Sequence, residues 1–262
     1  MLSASVPHWR YIWLVVASLL AGLINAMAGG GSFLSFPAML GVGVPPVQAN
    51  ATNTLALWPG QLTSLAALRG DLRRDLVWPV IITSILGGIT GAEVLLHTSQ
   101  TTFLHLIPWL ILGGTLIFGV SGRISRWLRG RAANPHAGHN IPVLPLSLAL
   151  FPVCFYVGYF GAGGGFLVMT ILALFGVEEM YTLNAMKVLA ALTSNLVAII
   201  TFIVTGAIVW HDCLLSMVFA AAGGYLGARL TKKISPEALR ASIVIIGLVI
   251  AAYFFWKQAR GA

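Results

Sequence analysis

The sequence predicts an all-α polytopic membrane protein made of two inverted-topology repeats. The 262 residues are 58% hydrophobic and only 8% charged, whereas a soluble domain carries about 25% charged residues. Eight to ten apolar segments follow one another along the chain, and a glycine triplet in the first half, 29–31, recurs in the second half as 163–165. A duplicated membrane unit interrupted by glycine at matching positions is typical of proteins with a binding site between the repeats.

Most apolar segments are long enough to cross a bilayer. The ten apolar segments, long and short, are 10–28, 31–43, 47–68, 75–96, 101–121, 143–161, 164–176, 180–205, 211–230 and 237–256. A spanning helix needs about 20 residues, but the segments after the two triplets have only about 13, which cover roughly two-thirds of the hydrocarbon core. We therefore expect each repeat to contain a Gly-rich broken or re-entrant helix, enclosed by protein or beside a water-filled cavity.

Further motifs recur with nearly the same spacing. Asn50-Ala51 recurs as Asn184-Ala185, 134 residues later. The second glycine triplet follows the first at the same offset of 134 residues. The glycine pair 87/91 recurs as 223/227, and such small residues allow close packing of helices within one subunit. We predict a first membrane repeat over 1–122, a basic linker over 123–142 and a second, inverted membrane repeat over 143–262.

The placement of positive charge predicts the topology. Basic residues cluster in 69–74, 123–131 and 229–233, whereas 97–101 and 206–212 contain no Lys or Arg. Because positively charged loops stay in the cytoplasm, the two halves should have opposite orientations in the plasma (inner) membrane, with the linker as a cytoplasmic surface loop. The 15 Lys and Arg against 7 acids thus indicate a lipid bilayer rather than a nucleic acid as partner, and a homo-oligomer stays open.

A stripe of polar residues follows each glycine segment. In the first half it contains Asn50, Asn53 and Gln61, and in the second half Asn184, Lys187 and Asn195. Their spacings of three and eleven residues keep each set on one helical face. Polar side chains within membrane segments are usually functional, so we expect the two stripes to line a shared path. Hydrogen bonds that only hold the helices together are the alternative.

Lys187 lies well inside an apolar segment, whereas the other Lys and Arg residues lie near segment ends or between segments. A buried cation needs an anionic partner. An ion pair with Glu93 or Glu178 would give Lys187 a structural role; otherwise a substrate supplies the negative charge. The triplets favour an anion too, because glycines let the backbone approach a ligand and helix N-termini attract negative charge. Ser32 could add a hydroxyl group in the first copy, where the second has Phe166.

The candidate substrate-binding residues share these two motifs, the glycine turns and the polar stripes. They are Gly29, Gly30, Gly31, Ser32, Asn50, Asn53, Gln61, Gly163, Gly164, Gly165, Asn184, Lys187 and Asn195. The sequence shows no nucleophile–base–acid set, so we predict neither catalytic residues nor a cofactor or metal, and we do not expect an enzyme.

With these motifs the chain resembles the sulfite exporter TauE/SafE family. The resemblance rests on the glycine-rich turns at 28–34 and 161–167 and on the Asn-Ala helix start after each, and it covers nearly the whole chain. It implies a transporter that exports a small sulfur-containing anion, sulfite or an organosulfonate such as sulfoacetate. The paired halves suggest alternating access. An anion channel and a non-transporting membrane scaffold remain as alternatives.

Overall fold

The computed structural model describes residues 8–27, 30–131, 141–230 and 236–260, and in this part of the chain every regular element is a helix. This confirms the all-α fold class. A short 3-10 helix, Arg69–Asp71, connects α4 to α5. The α-helices are α1 (His8–Met27), α2 (Ser32–Gly41), α3 (Pro46–Leu57), α4 (Pro59–Leu68), α5 (Arg74–His97), α6 (Gln100–Arg131), α7 (Val143–Tyr159), α8 (Gly164–Leu174), α9 (Met180–Val204), α10 (Trp210–Leu230) and α11 (Pro236–Ala259).

Within the described ranges, five helices are long and apolar enough to cross a membrane. The qualifying stretches are Trp9–Ala26, Arg74–His97, Gln100–Val120, Met180–Val204 and Ala241–Ala259. Large apolar side chains such as Trp78, Leu148 and Val218 are exposed on the outside of the bundle, which suits contact with lipid. By contrast, α2 and α8 have 10 and 11 residues, too few to span a core of about 30 Å. The prediction of a short helix after each glycine triplet is confirmed.

The halves pack by exchanging equivalent helices. α1, the first helix of the first half, packs on α10, and α7, the first helix of the second half, packs on the counterpart α5. A Cβ atom added to Gly223 would overlap the carbonyl oxygen of Leu19 in α1, and one added to Gly87 would lie 2.6 Å from Cys154 Cβ in α7. The repeated glycines therefore bring helices together within the chain, as expected from the sequence.

α9 is the counterpart of α3 and α4 together, and it runs antiparallel to them. Leu65 and Leu72, near and just beyond the end of α4, share an apolar cluster with Leu183 at the start of α9. Just beyond the other end of α9, the N–H of Val209 donates to Thr52 Oγ1 in α3 at 3.0 Å. Inverted repeats require such an antiparallel pair, and their inversion across a bilayer stays a prediction.

Two boundaries differ from the sequence prediction. The segment 47–68 is broken into α3 and α4 at Pro59, because proline has no N–H to donate within a helix; its counterpart Thr193 lies inside the continuous α9. The predicted surface loop over 123–142 is wrong for 123–131, since α6 continues to Arg131. Residues 132–140 lie outside the described part of the chain.

Candidate functional site

The two glycine turns meet at one stretch of α6. A Cβ atom added to Gly114 would lie 2.9 Å from the carbonyl oxygen of Ala162 in the second turn. One helical turn further along α6, Phe118 lies 3.7 Å from the position that a Cβ atom would take on Gly30 in the first turn. Phe118 also packs edge-on against Phe166, with 4.8 Å between ring centroids. Both turns are therefore enclosed by protein at one place.

Positive φ angles explain why these turns use glycine. Gly30, Gly161 and Gly163 have φ angles of 94°, 80° and 78°, a region that residues with a Cβ atom rarely adopt. The sequence analysis singled out the triplets, which contain Gly30 and Gly163, but not Gly161. Gly29 lies outside the described residues, and Ser32 is the partly buried first residue of α2.

The second turn is tightly packed, and part of it is already hydrogen-bonded. The N–H of Gly164 donates to the carbonyl oxygen of Gly161 at 3.2 Å, so a ligand cannot use this donor without breaking the turn. In the described part of the chain, the N–H groups of Gly163 and Gly165 have no backbone acceptor. In the first turn, a Cβ atom on Gly31 would overlap the carbonyl oxygen of Ala21 in α1. Gly31 and Gly164 therefore serve packing first.

Lys187 lies against the second glycine turn. Its Cγ and Cδ atoms are 3.2 Å from the position of a Cβ atom on Gly165, and its ammonium is 5.5 Å from the ring centroid of Phe166. This distance suits a cation–π contact. Among the described residues no carboxylate lies within ion-pair distance of Lys187, and Glu93 instead lies 3.8 Å from His97. The structural ion pair considered from the sequence is therefore not found in this part of the protein.

The first repeat uses its polar stripe for hydrogen bonds between helices. Asn50 is 2% exposed, and its Nδ2 donates to the carbonyl oxygen of Tyr159 at the end of α7, at 3.0 Å. Asn53 accepts a hydrogen bond from Ser35 Oγ in α2, and this hydroxyl also lies 3.3 Å from the carbonyl oxygen of Gly31. Both asparagines thus have protein partners in this conformation. We call each glycine turn together with its polar stripe a half-site. The polar residues of the first half-site are hydrogen-bonded to neighbouring helices, whereas Lys187 in the second half-site has no counter-ion among the described residues.

Two hydrogen bonds join residues to their own counterparts in the other half. Asn195 Nδ2 donates to Gln61 Oε1 at 3.1 Å, and Trp58 Nε1 donates to the carbonyl oxygen of Leu192 at 3.2 Å. Both pairs are separated by 134 residues, which is the offset of the glycine triplets. A residue can contact its own counterpart only close to the axis that relates the halves. With the inverted repeats that the sequence predicts, Gln61 and Asn195 would lie close to that axis.

Some residues near the site were not singled out from the sequence. Asn25 of α1 has its Cβ 3.1 Å from the Cβ position of Gly31 and its Nδ2 3.9 Å from that of Gly60. Tyr156 of α7 donates from its hydroxyl to the carbonyl oxygen of Ala162 at 2.7 Å. Asn25 could have been found, since it is a polar residue in an apolar segment just before the first triplet. Asn184, which was predicted, is partly buried and lies one helical turn before Lys187.

The long apolar helices, the short helices at paired glycine turns and the polar centre define a multi-pass membrane protein. A family model described as Sulfite exporter TauE/SafE matches residues 14–254. The chain belongs to this family, and it is a membrane transporter.

Similar proteins carry names that agree with this class. A "Probable membrane transporter protein YfcA" of Escherichia coli (strain K12) is 29% identical over 252 residues, covering 94% of this chain and 89% of its own length. A "Probable membrane transporter protein" of Haemophilus influenzae is 28% identical and covers 94% of both chains. "Probable membrane transporter protein ORF9" of Sinorhizobium sp is 28% identical, covering 91% of this chain and 90% of its own. No solved structure matches the chain.

Proposed function

We propose that this transporter exports a small sulfur-containing anion, sulfite or an organosulfonate such as sulfoacetate, from the cytoplasm across the plasma membrane by alternating access. The observation that carries the proposal is Lys187, which lies beside a glycine turn and, among the described residues, has no carboxylate within 4.0 Å. Lys187 is partly buried within an apolar helix, and because an unpaired cation in such surroundings is costly, an anionic substrate is the natural partner. The family description names sulfite.

The second half-site offers the donors that such an anion needs. The N–H groups of Gly163 and Gly165 lie at the start of α8, where the helix dipole favours negative charge. Lys187 adds a full positive charge, and Asn184 adds an amide one turn away. In the first half-site, the turn at 29–31 and Ser32 would donate hydrogen bonds to the anion once the halves rearrange.

Rearrangement of the halves is the expected transport step. The hydrogen-bonded pairs Gln61–Asn195 and Trp58–Leu192 lie at the axis between the halves, so the halves can rock about this place while the site opens to one side or the other. With the basic segments 69–74, 123–131 and 229–233 in the cytoplasm, an inside-negative potential drives an anion outward by about 2.3 kcal/mol per charge per 100 mV. Uniport would then suffice without a coupling ion.

Flux measurements in proteoliposomes test this proposal. Sulfite or sulfoacetate efflux should saturate with concentration, show counterflow and increase when the potential favours anion exit. Lys187→Met should reduce substrate affinity by about tenfold or more, which corresponds to about 1.4 kcal/mol. Lys257→Met, which changes the lysine in the last turn of α11, is the matched control and should leave affinity unchanged.

Four results would contradict the proposal in part or in whole. Flux that ignores an imposed potential would exclude electrogenic uniport. Non-saturating flux without counterflow would favour an anion channel. Unchanged affinity in Lys187→Met would remove the proposed anion site, and a protein that neither transports nor binds these anions would fit the scaffold alternative.

A further inference from the structure

The side chain of Asn195 has a buried acceptor atom that the protein does not use. The residue is 7% exposed, and its Nδ2 donates to Gln61 Oε1. Its Oδ1 is buried and has no hydrogen-bond partner among the described residues. Buried polar atoms are normally paired, and an unpaired one costs free energy.

Other buried atoms of this kind differ from Asn195 Oδ1 in one respect. The hydroxyl oxygens of Ser18, Thr115, Ser194 and Ser216 also lack a partner in the described part of the chain. A hydroxyl group can rotate and donate to a carbonyl oxygen of its own helix. An amide oxygen can only accept, so a donor must come to it.

The surroundings of Asn195 Oδ1 offer acceptors instead of a donor. This atom lies 4.0 Å from the position of a Cβ atom on Gly161, and the carbonyl oxygen of Val157 lies 3.2 Å from the same position. The N–H of Gly161 is directed elsewhere, since it donates to the carbonyl oxygen of Tyr156 at 3.1 Å. A ligand group that reaches this end of the second glycine turn therefore meets acceptors, and it fits best if it donates hydrogen bonds.

The other end of the same turn is positively charged. Lys187 packs on Gly165, four residues beyond Gly161, and precedes Asn195 by eight residues on α9. This spacing corresponds to roughly 12 Å along the helix, and both side chains shorten it by reaching towards the turn. A small ligand can therefore place a negative group near Lys187 and a second group near Asn195.

We propose that the site prefers anions that also carry a hydrogen-bond donor, such as hydroxyalkanesulfonates, over donor-free anions of the same charge and size. The inference rests on the proposed function and specifies its substrate class. Asn195 Oδ1 accepts the hydrogen bond, while Lys187 compensates the charge. A site with an unpaired buried group discriminates strongly against ligands that leave it unpaired.

A pair of closely matched ligands tests this inference. Binding of ethanesulfonate and of 2-hydroxyethanesulfonate to the purified full-length protein is measured by calorimetry; the two anions have the same charge and differ in one hydroxyl. We expect the hydroxylated anion to bind about tenfold more tightly or better. Asn195→Leu removes the acceptor and should bring the ratio of affinities close to one.

Two further variants separate this role from a structural one. Trp58→Phe removes the hydrogen bond to the carbonyl oxygen of Leu192, the other bond at the axis, and should keep the preference for the hydroxylated anion. Asn195→Asp keeps an acceptor oxygen and should also keep the preference, while its negative charge weakens the binding of both anions. If Asn195→Leu does not fold, Asn195→Asp and the wild-type ratio still test the inference.

The outcomes distinguish the two proposals. Equal affinities for the two anions in the wild type, or a preference that survives in Asn195→Leu, would overturn the donor preference and leave the anion transporter standing. If the amides of Gln61 and Asn195 were both reversed, the unpaired buried atom would be a donor, and a ligand hydroxyl group could accept from it. The methyl ether of the hydroxylated anion, which accepts but cannot donate, would then keep the gain in affinity, and this result would also overturn the donor preference. If neither sulfonate binds but sulfite does, the donor preference fails and the anion transporter stands; if sulfite and sulfoacetate do not bind either, both proposals fail.

Discussion

At the scale of single residues, the proposed site depends on one cation that lies against a glycine. The Lys187 stem lies along Gly165, and its ammonium lies near the ring of Phe166. The sequence predicted that Lys187 is important because a cation inside an apolar segment is rare. It could not predict the aromatic neighbour, because Phe166 stands where the first repeat has Ser32 and only the folded chain brings its ring to α9.

Gly165→Ala should weaken anion binding. A Cβ atom at this position would lie 3.2 Å from both Cγ and Cδ of Lys187, so the lysine side chain has to shift by a few tenths of an ångström, which moves its ammonium relative to the turn. We expect a several-fold to tenfold loss of affinity, about 1 kcal/mol, with little loss of stability. Gly113→Ala is the control, because a Cβ atom there meets no atom within 4 Å. Equal affinities of the two variants, measured by calorimetry, would contradict this role of Gly165.

At the scale of helices, the sequence predicted most elements because apolar length and glycine are local signals. The predicted segment 75–96 is α5, and the predicted segment 180–205 is α9. The sequence analysis did not predict that α6 continues to Arg131. The last residues of α6 are basic, and we interpreted this charge as the mark of a surface loop, although arginine is a good helix former. Which helices pair could not be predicted, since the exchange of α1 and α7 between halves is a long-range arrangement.

Adjacent glycines in α10 should respond differently to alanine. A Cβ atom on Gly223 would overlap the backbone carbonyl of Leu19 in α1, whereas one on Gly224 would lie 3.8 Å from the carbonyl oxygen of Gly22. Gly223→Ala therefore forces α1 and α10 apart and should destabilise the protein by about 1–3 kcal/mol or more. Gly224→Ala should be tolerated or slightly stabilising, since alanine is favoured over glycine in helices by about 1 kcal/mol. Thermal unfolding in detergent measures both, and equal melting temperatures would contradict the close contact.

At the scale of the whole molecule, the repeat offset connects sequence and structure. The offset of 134 residues predicted two equivalent halves, and the same offset separates Gln61 from Asn195 and Trp58 from Leu192. The sequence also predicted polar stripes with equivalent roles. In the structure they differ, since Asn50 and Asn53 bind protein groups while Lys187 has no ion pair among the described residues.

Under the proposed alternating access, this asymmetry indicates how the two transport states would be related. If the halves exchange conformations during alternating access, each contact between two residues is replaced by the contact between their counterparts, which lie 134 residues away in the sequence. A contact on the axis, such as Gln61–Asn195, is then preserved. The hydrogen bond from Asn50 to the carbonyl oxygen of Tyr159 would be replaced by one from Asn184 to the carbonyl oxygen of Asn25, which is not formed among the described residues here.

Asn50→Leu and Asn184→Leu should therefore shift the conformational equilibrium in opposite directions. Asn50→Leu removes a hydrogen bond of the present state, and Asn184→Leu removes its counterpart in the other state; each loss is worth about 1 kcal/mol, or roughly fivefold in population. Labelling of a reporter cysteine, Ser32→Cys, from either side of sealed vesicles measures the equilibrium. Gln61→Leu, which changes the axis, should weaken both states alike and leave the ratio unchanged. A shift in the same direction for Asn50→Leu and Asn184→Leu would show that the two halves do not exchange conformations.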